Sequence, residues 1–153
     1  MSRFLVAALL VGCVPISYIP GTTVPDTPEN RTLVTDVCEK YRQALEERDA
    51  ARLLALASPR YYEDSGTPKA DDDYGYEGLK QVLATRLAAL RTVRYNIEYR
   101  DVHVHGDRAS VDIRYDASFQ IATEMGDRWE RKQNDKRLEL EKVDGRWLFI
   151  AGM

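Results

Sequence analysis

The stretch Val93-Arg94-Tyr95-Asn96-Ile97-Glu98-Tyr99-Arg100-Asp101-Val102-His103-Val104-His105-Gly106-Asp107 decides the fold. Apolar and polar residues alternate through it with period two, the spacing of a β-strand with one buried face. Val93, Tyr95, Ile97 and Tyr99 face one way, and Arg94, Asn96, Glu98 and Arg100 the other. At Asp101 the parity flips, and Val102 and Val104 become the apolar set. A one-residue flip inside a long strand predicts a β-bulge, which bends the strand. Gly106-Asp107 then supplies a hairpin turn.

Toward the C-terminus the alternation continues. Ala109, Val111, Ile113, Tyr115, Ala117, Phe119 and Ile121 mark a second strand, and Gly126-Asp127 reads as the next turn. A charged third strand runs from about Arg128 to Val143, carrying Trp129, Leu138 and Leu140. Asp144-Gly145 turns again, and Arg146 to Ala151 closes the chain with Trp147 and Phe149.

Toward the N-terminus the period changes to that of a helix. Leu33, Val34, Val37, Cys38, Tyr41, Ala44 and Leu45 recur at three and four residues, which gathers them on one face. Asn30 or Thr32 is the expected cap of this helix, and Asp49 the cap of a short second one ended by Ser58-Pro59. Asn30-Arg31-Thr32 also fits the glycosylation pattern, but capping is the plainer role. A loop rich in Tyr, Asp, Gly and Pro follows, and a third helix is expected from Glu77 to Arg91. Helices segregated before a strand meander define the α+β class. The expected architecture is three N-terminal helices packed on a curled four-stranded antiparallel sheet, a cone with an interior.

Composition narrows the function classes. The chain has 153 residues, with Lys+Arg 22 against Asp+Glu 25 and a net charge of -3. That balance argues against nucleic acid as the main partner, which would need a basic face. Two cysteines exclude a disulfide-rich scaffold and a multi-cysteine zinc motif. No apolar run approaches the roughly 20 residues needed to span a bilayer.

The first residues carry a different message. Met1-Ser2-Arg3 is a short basic start, Phe4 to Gly12 is apolar, and Cys13 follows. The ending Leu10-Val11-Gly12-Cys13 resembles the lipobox of bacterial lipoproteins. That resemblance implies a signal peptide over residues 1–12 and a lipidated, palmitate-bearing Cys13 as the first mature residue. Each buried acyl CH2 contributes about 0.8 kcal/mol, so several chains give a durable membrane anchor. Val14 is not the aspartate linked with inner-membrane retention, so the resemblance points to the outer membrane, facing the periplasm. Four of the six prolines fall between Val14 and Pro28, so residues 13–30 are expected to form an extended linker. Residues 31–153 would then be the folded domain.

That domain resembles the nuclear transport factor 2-like group, which includes polyketide cyclases and ketosteroid isomerases. The likeness rests on the element order, on Ala44-Leu45-Glu46-Glu47-Arg48-Asp49-Ala50-Ala51-Arg52-Leu53-Leu54-Ala55-Leu56 with Tyr61-Tyr62 behind it, and on the closing strand pair from Leu138 to Trp147. It implies a cone that often forms a pocket. A catalytic member would place a carboxylate or His against a tyrosine there. The inward strand positions, among them Tyr95, Ile97, Tyr99, Val111, Ile113, Tyr115 and Phe119, hold tyrosines, and no strand is expected to turn a carboxylate inward. Tyr41, Tyr61, Tyr62, Tyr95, Tyr115 and Phe119 are therefore the candidate pocket residues, with no catalytic residue assigned and no cofactor expected.

Asp101, His103 and His105 share a strand face, but two imidazoles fall short of a closed metal site. Asp71-Asp72-Asp73 reads as a solvated loop rather than a calcium site, and Cys38 as a buried thiol. The segment Arg128 to Arg137 is read as a solvated strand face that discourages edge pairing, or else as a docking surface for a protein partner or a second copy. The reading is a membrane-anchored envelope lipoprotein whose non-catalytic domain binds a small apolar ligand or a partner. The alternative is a cyclase- or isomerase-type enzyme with a tyrosine-lined cavity.

Overall fold

The computed structural model describes residues 15–64 and 72–153. The lipobox with Cys13, and Gly66, Pro68 and Asp71 of the tyrosine-rich loop, lie outside the described residues. The helical part comprises α1 (Pro28–Thr32), a π-helical stretch over Leu33–Cys38, α2 (Glu39–Glu46), α3 (Ala50–Leu56) and, after the loop, α4 (Tyr76–Ala88). A small antiparallel pair, β1 (Tyr62–Glu63) and β2 (Tyr74–Gly75), precedes α4. Then come β3 (Leu90–His105), β4 (Arg108–Thr123), β5 (Gly126–Val143) and β6 (Arg146–Ala151), an antiparallel sheet in the order β3-β4-β5-β6. Among the described residues no helix is long and apolar enough to cross a membrane.

The bulge expected near Asp101 is present. Tyr99 pairs with Ile113 and Asp101 with Asp112, so Arg100 is the extra residue and Val102 turns to the core. The Thr23 hydroxyl donates to the freed Arg100 carbonyl at 2.7 Å. Thr23 belongs to the proline-rich stretch expected as a linker. Here Ile19 and Val24 are buried in the core, and Ile19 N donates to Val24 O at 2.9 Å across a turn. The packed body thus reaches back to Ile19, because two apolar side chains between the prolines gain more by burial than an extended spacer would.

Three local expectations are corrected. The cap of the first helix is Thr27, whose hydroxyl accepts from Asn30 N at 3.2 Å, rather than Asn30 or Thr32. Asn30 is buried and spends its side-chain amide on Pro25 O, at 3.0 Å. Helix α4 stops at Ala88, since Leu90 already pairs with Ile121 and its carbonyl accepts from Arg48 at 2.7 Å. The β4–β5 reversal is made by Glu124-Met125, not Gly126-Asp127. Cross-strand pairing places Gly126 opposite Thr123, at φ +109°, as the first residue of β5.

The core lies between the helices and the concave face of the sheet. Leu33, Cys38, Leu53, Val111, Leu138, Leu140 and Phe149 have no measurable exposure. Each outer strand has a backbone group engaged from outside the sheet, while β5 over residues 126–138 pairs only with β4. Glu46 accepts the Tyr95 amide of β3 at 2.9 Å, and Ser58 N donates to Phe149 O of β6 at 2.8 Å. The outer face is a ladder of ion pairs: Arg137 reaches Asp112 at 2.6 Å, and Arg131 Nε reaches Asp116 at 2.8 Å. Arg131 and then Gln133 hold the Asp116 carboxyl down at about 2.

Candidate ligand-binding site

A cavity of about 600 Å³ lies between α2, α4 and the sheet. Ligand sites of small molecules fall in this size range. Helix α4 contributes Leu79, Val82, Leu83 and Leu87, spaced by three and four residues so that they share a face. The sheet contributes Tyr95, Tyr115, Phe119 and Ile121, and α2 adds Tyr41 and Leu45. Met153 and Tyr74 also line it.

The aromatic rings are ordered against one another. Tyr95 stacks on Tyr115 with centroids 5.3 Å apart, and Tyr41 meets Tyr95 edge-on at 6.1 Å and Phe149 at 5.4 Å. Such pairs add to area burial and hold the ring positions. Burial, and then the contact with Tyr95, push the Tyr41 hydroxyl well above its ordinary range. Tyr41 and Tyr95, both pushed upward by burial, present neutral amphipathic walls.

Of the six candidates, the structure brings together Tyr41, Tyr95, Tyr115 and Phe119 around the cavity. Tyr61 sits one layer back, stacked on Tyr74 at 6.4 Å. Its hydroxyl donates to Glu63 Oε2 at 2.6 Å and accepts from Met153 N at 3.1 Å. Tyr62 is exposed and donates to Asp73 at 2.8 Å, away from the cavity. His103 and His105 border a separate depression with Arg108, Ser110, Arg137 and Glu139, and His103 Nε2 lies 3.3 Å from Asp101. Among the described residues no three metal-ligating side chains converge. Cys38 is fully buried, and burial pushes its thiol up, out of the reactive range.

The expectation that no strand turns a carboxylate inward is overturned by β5. Phe119 pairs with Glu130, Ala117 with Lys132 and Ile113 with Lys136, so these even-numbered residues share the inner side with Leu138 and Leu140. Glu130, Lys132 and Lys136 line the cavity, with Arg86 of α4 facing them. The charged run hides this because its odd members, Arg131 and Arg137, do form a solvated face. Counting back in twos from Leu138 is the signal that finds Lys136.

Lys136 is half-buried, and burial pushes its ammonium down to about 8. Glu63 opposes the shift and Arg86 adds to it. The folded state thus disfavours the charged amine. At pH 7 that cost is fully present, and it is relieved as pH rises through 8 toward the ordinary value of 10.5. Lys136→Met is expected to stabilise the fold by about 1–2 kcal/mol at pH 7, the half-exposure reducing the gain below that of a fully enclosed charge. The difference should shrink by pH 10. Urea unfolding at both pH values measures it, and a Met variant less stable at pH 7 would contradict the assignment.

No protein-family model and no curated protein matches the chain. Solved structures do. A candidate aromatic ring hydroxylase from Novosphingobium aromaticivorans superposes with TM-score 0.68 at 16% identity, covering 83% of this chain and 89% of its own. A nuclear transport factor 2-like superfamily protein from Salmonella enterica serovar Typhimurium gives 0.65 at 11%, covering 80% and 87%. A candidate dehydratase of that family from Streptomyces avermitilis gives 0.64 at 16%, covering 82% and 95%. The chain therefore has the nuclear transport factor 2-like fold, an α+β cone whose sheet is not closed. That fold hosts many functions, so its use here is argued from the cavity.

Proposed function

We propose that this is a lipid-anchored protein of the bacterial cell envelope whose domain binds a small, largely apolar ligand in the cone without transforming it. The observation that carries the binding reading is the cavity of about 600 Å³ walled by Tyr41, Tyr95, Tyr115 and Phe119. The candidate hydroxylase of the same fold is named for aromatic rings, and aromatic walls suit such a ligand. The carboxylates near the cavity are already engaged: Glu130 with Arg128, and Glu63 with Tyr61 and the Gly152 amide. The Glu63–Tyr61 pair is nevertheless the one feature that favours the enzymatic alternative, and it sits behind Tyr74. The lipobox carries the anchor.

Two experiments test the two halves. Cys13→Ala should abolish palmitate labelling and membrane fractionation; labelling that persists would refute the anchor. The full chain should bind naphthalen-2-ylmethanol by calorimetry. Val82→Trp, which fills the cavity, should lower that affinity by about tenfold or more. If the unmodified chain does not bind, or the tryptophan variant binds as well, the cavity is not the site.

A further inference from the structure

The cavity is apolar in its walls but carries a cationic excess. Arg86, Lys132 and Lys136 line it, and none has an ion-pair partner among the described residues. The opposing charge in the lining, Glu130, is taken by Arg128. Arg86 and Lys132 are exposed, whereas Lys136 is half-buried. Its register opposite Ile113, next inward position to the fully buried Leu138, sets it at the depth of the core.

A purely apolar ligand gives no reason for that arrangement. An unpaired ammonium in an apolar wall opposes folding and is retained most readily when something anionic meets it. We infer that the ligand is an amphiphilic monocarboxylate, with its aromatic or alkyl body against Tyr95, Tyr115 and Phe119 and its carboxylate on Lys136. Arg86 and Lys132 draw the anion to the cavity, and Lys136 fixes its orientation inside. A charge-assisted bond in this poorly solvated setting is stronger than a neutral one, so the headgroup is read as well as tolerated. The depressed proton affinity of Lys136, which Glu63 offsets only in part, accords with this: a bound carboxylate supplies the counter-charge that the cavity lining lacks. The inference rests on the cavity-binding reading above.

Calorimetry on the full chain at pH 7 separates the two. Naphthalene-2-carboxylate should bind about tenfold more tightly than naphthalen-2-ylmethanol, which has the same rings and no charge. Lys136→Met should remove that preference while leaving the alcohol's affinity in place, and Lys136→Arg should restore it. Equal affinities in the unmodified chain, or a preference that survives Lys136→Met, would overturn the carboxylate assignment while the cavity reading stands. Failure of both compounds to bind would overturn both.

Discussion

Replacing Glu141 by alanine should cost the fold about 2–4 kcal/mol, from the void left by a buried side chain and the Ser58 hydroxyl left without its acceptor, while the exposed Arg60 and Arg108 regain water. Glu141 is 1% exposed and is the acceptor of a cluster that ties three separate parts of the chain. The Ser58 hydroxyl, just after α3, donates to Oε1. Arg60 reaches both carboxylate oxygens, with Nε at 3.2 Å from Oε1. Arg108, which opens β4, lies 3.7 Å away. Burial by itself would raise the Glu141 carboxyl, but Ser58, Arg60 and Arg108 together outweigh it and hold the group below its ordinary 4.5. Its stabilising contribution is therefore present above pH 4.5 and is lost as pH falls through the lower folded value. Glu141→Gln keeps an acceptor for Ser58 and should cost less, about 1–3 kcal/mol, with a flatter acid limb. Urea unfolding at pH 7 and acid titration measure both effects. An unchanged urea midpoint for Glu141→Ala would show that the cluster is not a structural tie.

Gly152→Ala should be as damaging, at about 2–4 kcal/mol, from left-handed strain and steric overlap together. Gly152 has φ +84°, and a Cβ there would overlap the Arg137 carbonyl oxygen and lie 3.2 Å from Leu138 Cα. These are backbone atoms of β5 and cannot swing aside. The displaced segment is the one that latches the C-terminus: Gly152 N donates to Glu63 at 2.8 Å and Met153 N to the Tyr61 hydroxyl at 3.1 Å. Because Met153 lines the cavity, the same substitution should lower affinity for a bound naphthalene compound. Thermal unfolding and hydrogen exchange at the amides of residues 152 and 153 follow the two consequences. An alanine variant with unaltered exchange at those amides would mean that the latch tolerates the shift.

Much of this architecture is legible in residue order. The flip at Asp101 announces the bulge, since a period-two pattern cannot change face without an inserted residue. The helical stripe from Leu33 to Leu45 and the hairpins at Gly106-Asp107 and Asp144-Gly145 follow from equally local rules. The tyrosines of β3 and β4 declare their inward face by alternation, which is why Tyr95, Tyr115 and Phe119 were legible as cavity walls. Tyr62, adjacent to a buried tyrosine, could not be sorted from it by spacing, because a two-residue strand has no period.

The sequence by itself determined the α+β class, the order of helices and strands, the bulge and the inward face of each apolar strand. Each of these depends on periodicity within one element, which neighbouring residues encode. Only the tertiary structure decided three other matters. It packed Ile19 and Val24 of the proline-rich stretch into the core, gathered Ser58, Arg60 and Arg108 on Glu141, and turned Lys136 into an apolar cavity opposite Arg86. Those outcomes depend on which distant surfaces meet. A charged side chain reads as solvent-facing until the sheet's register and curvature bring helix α4 over it.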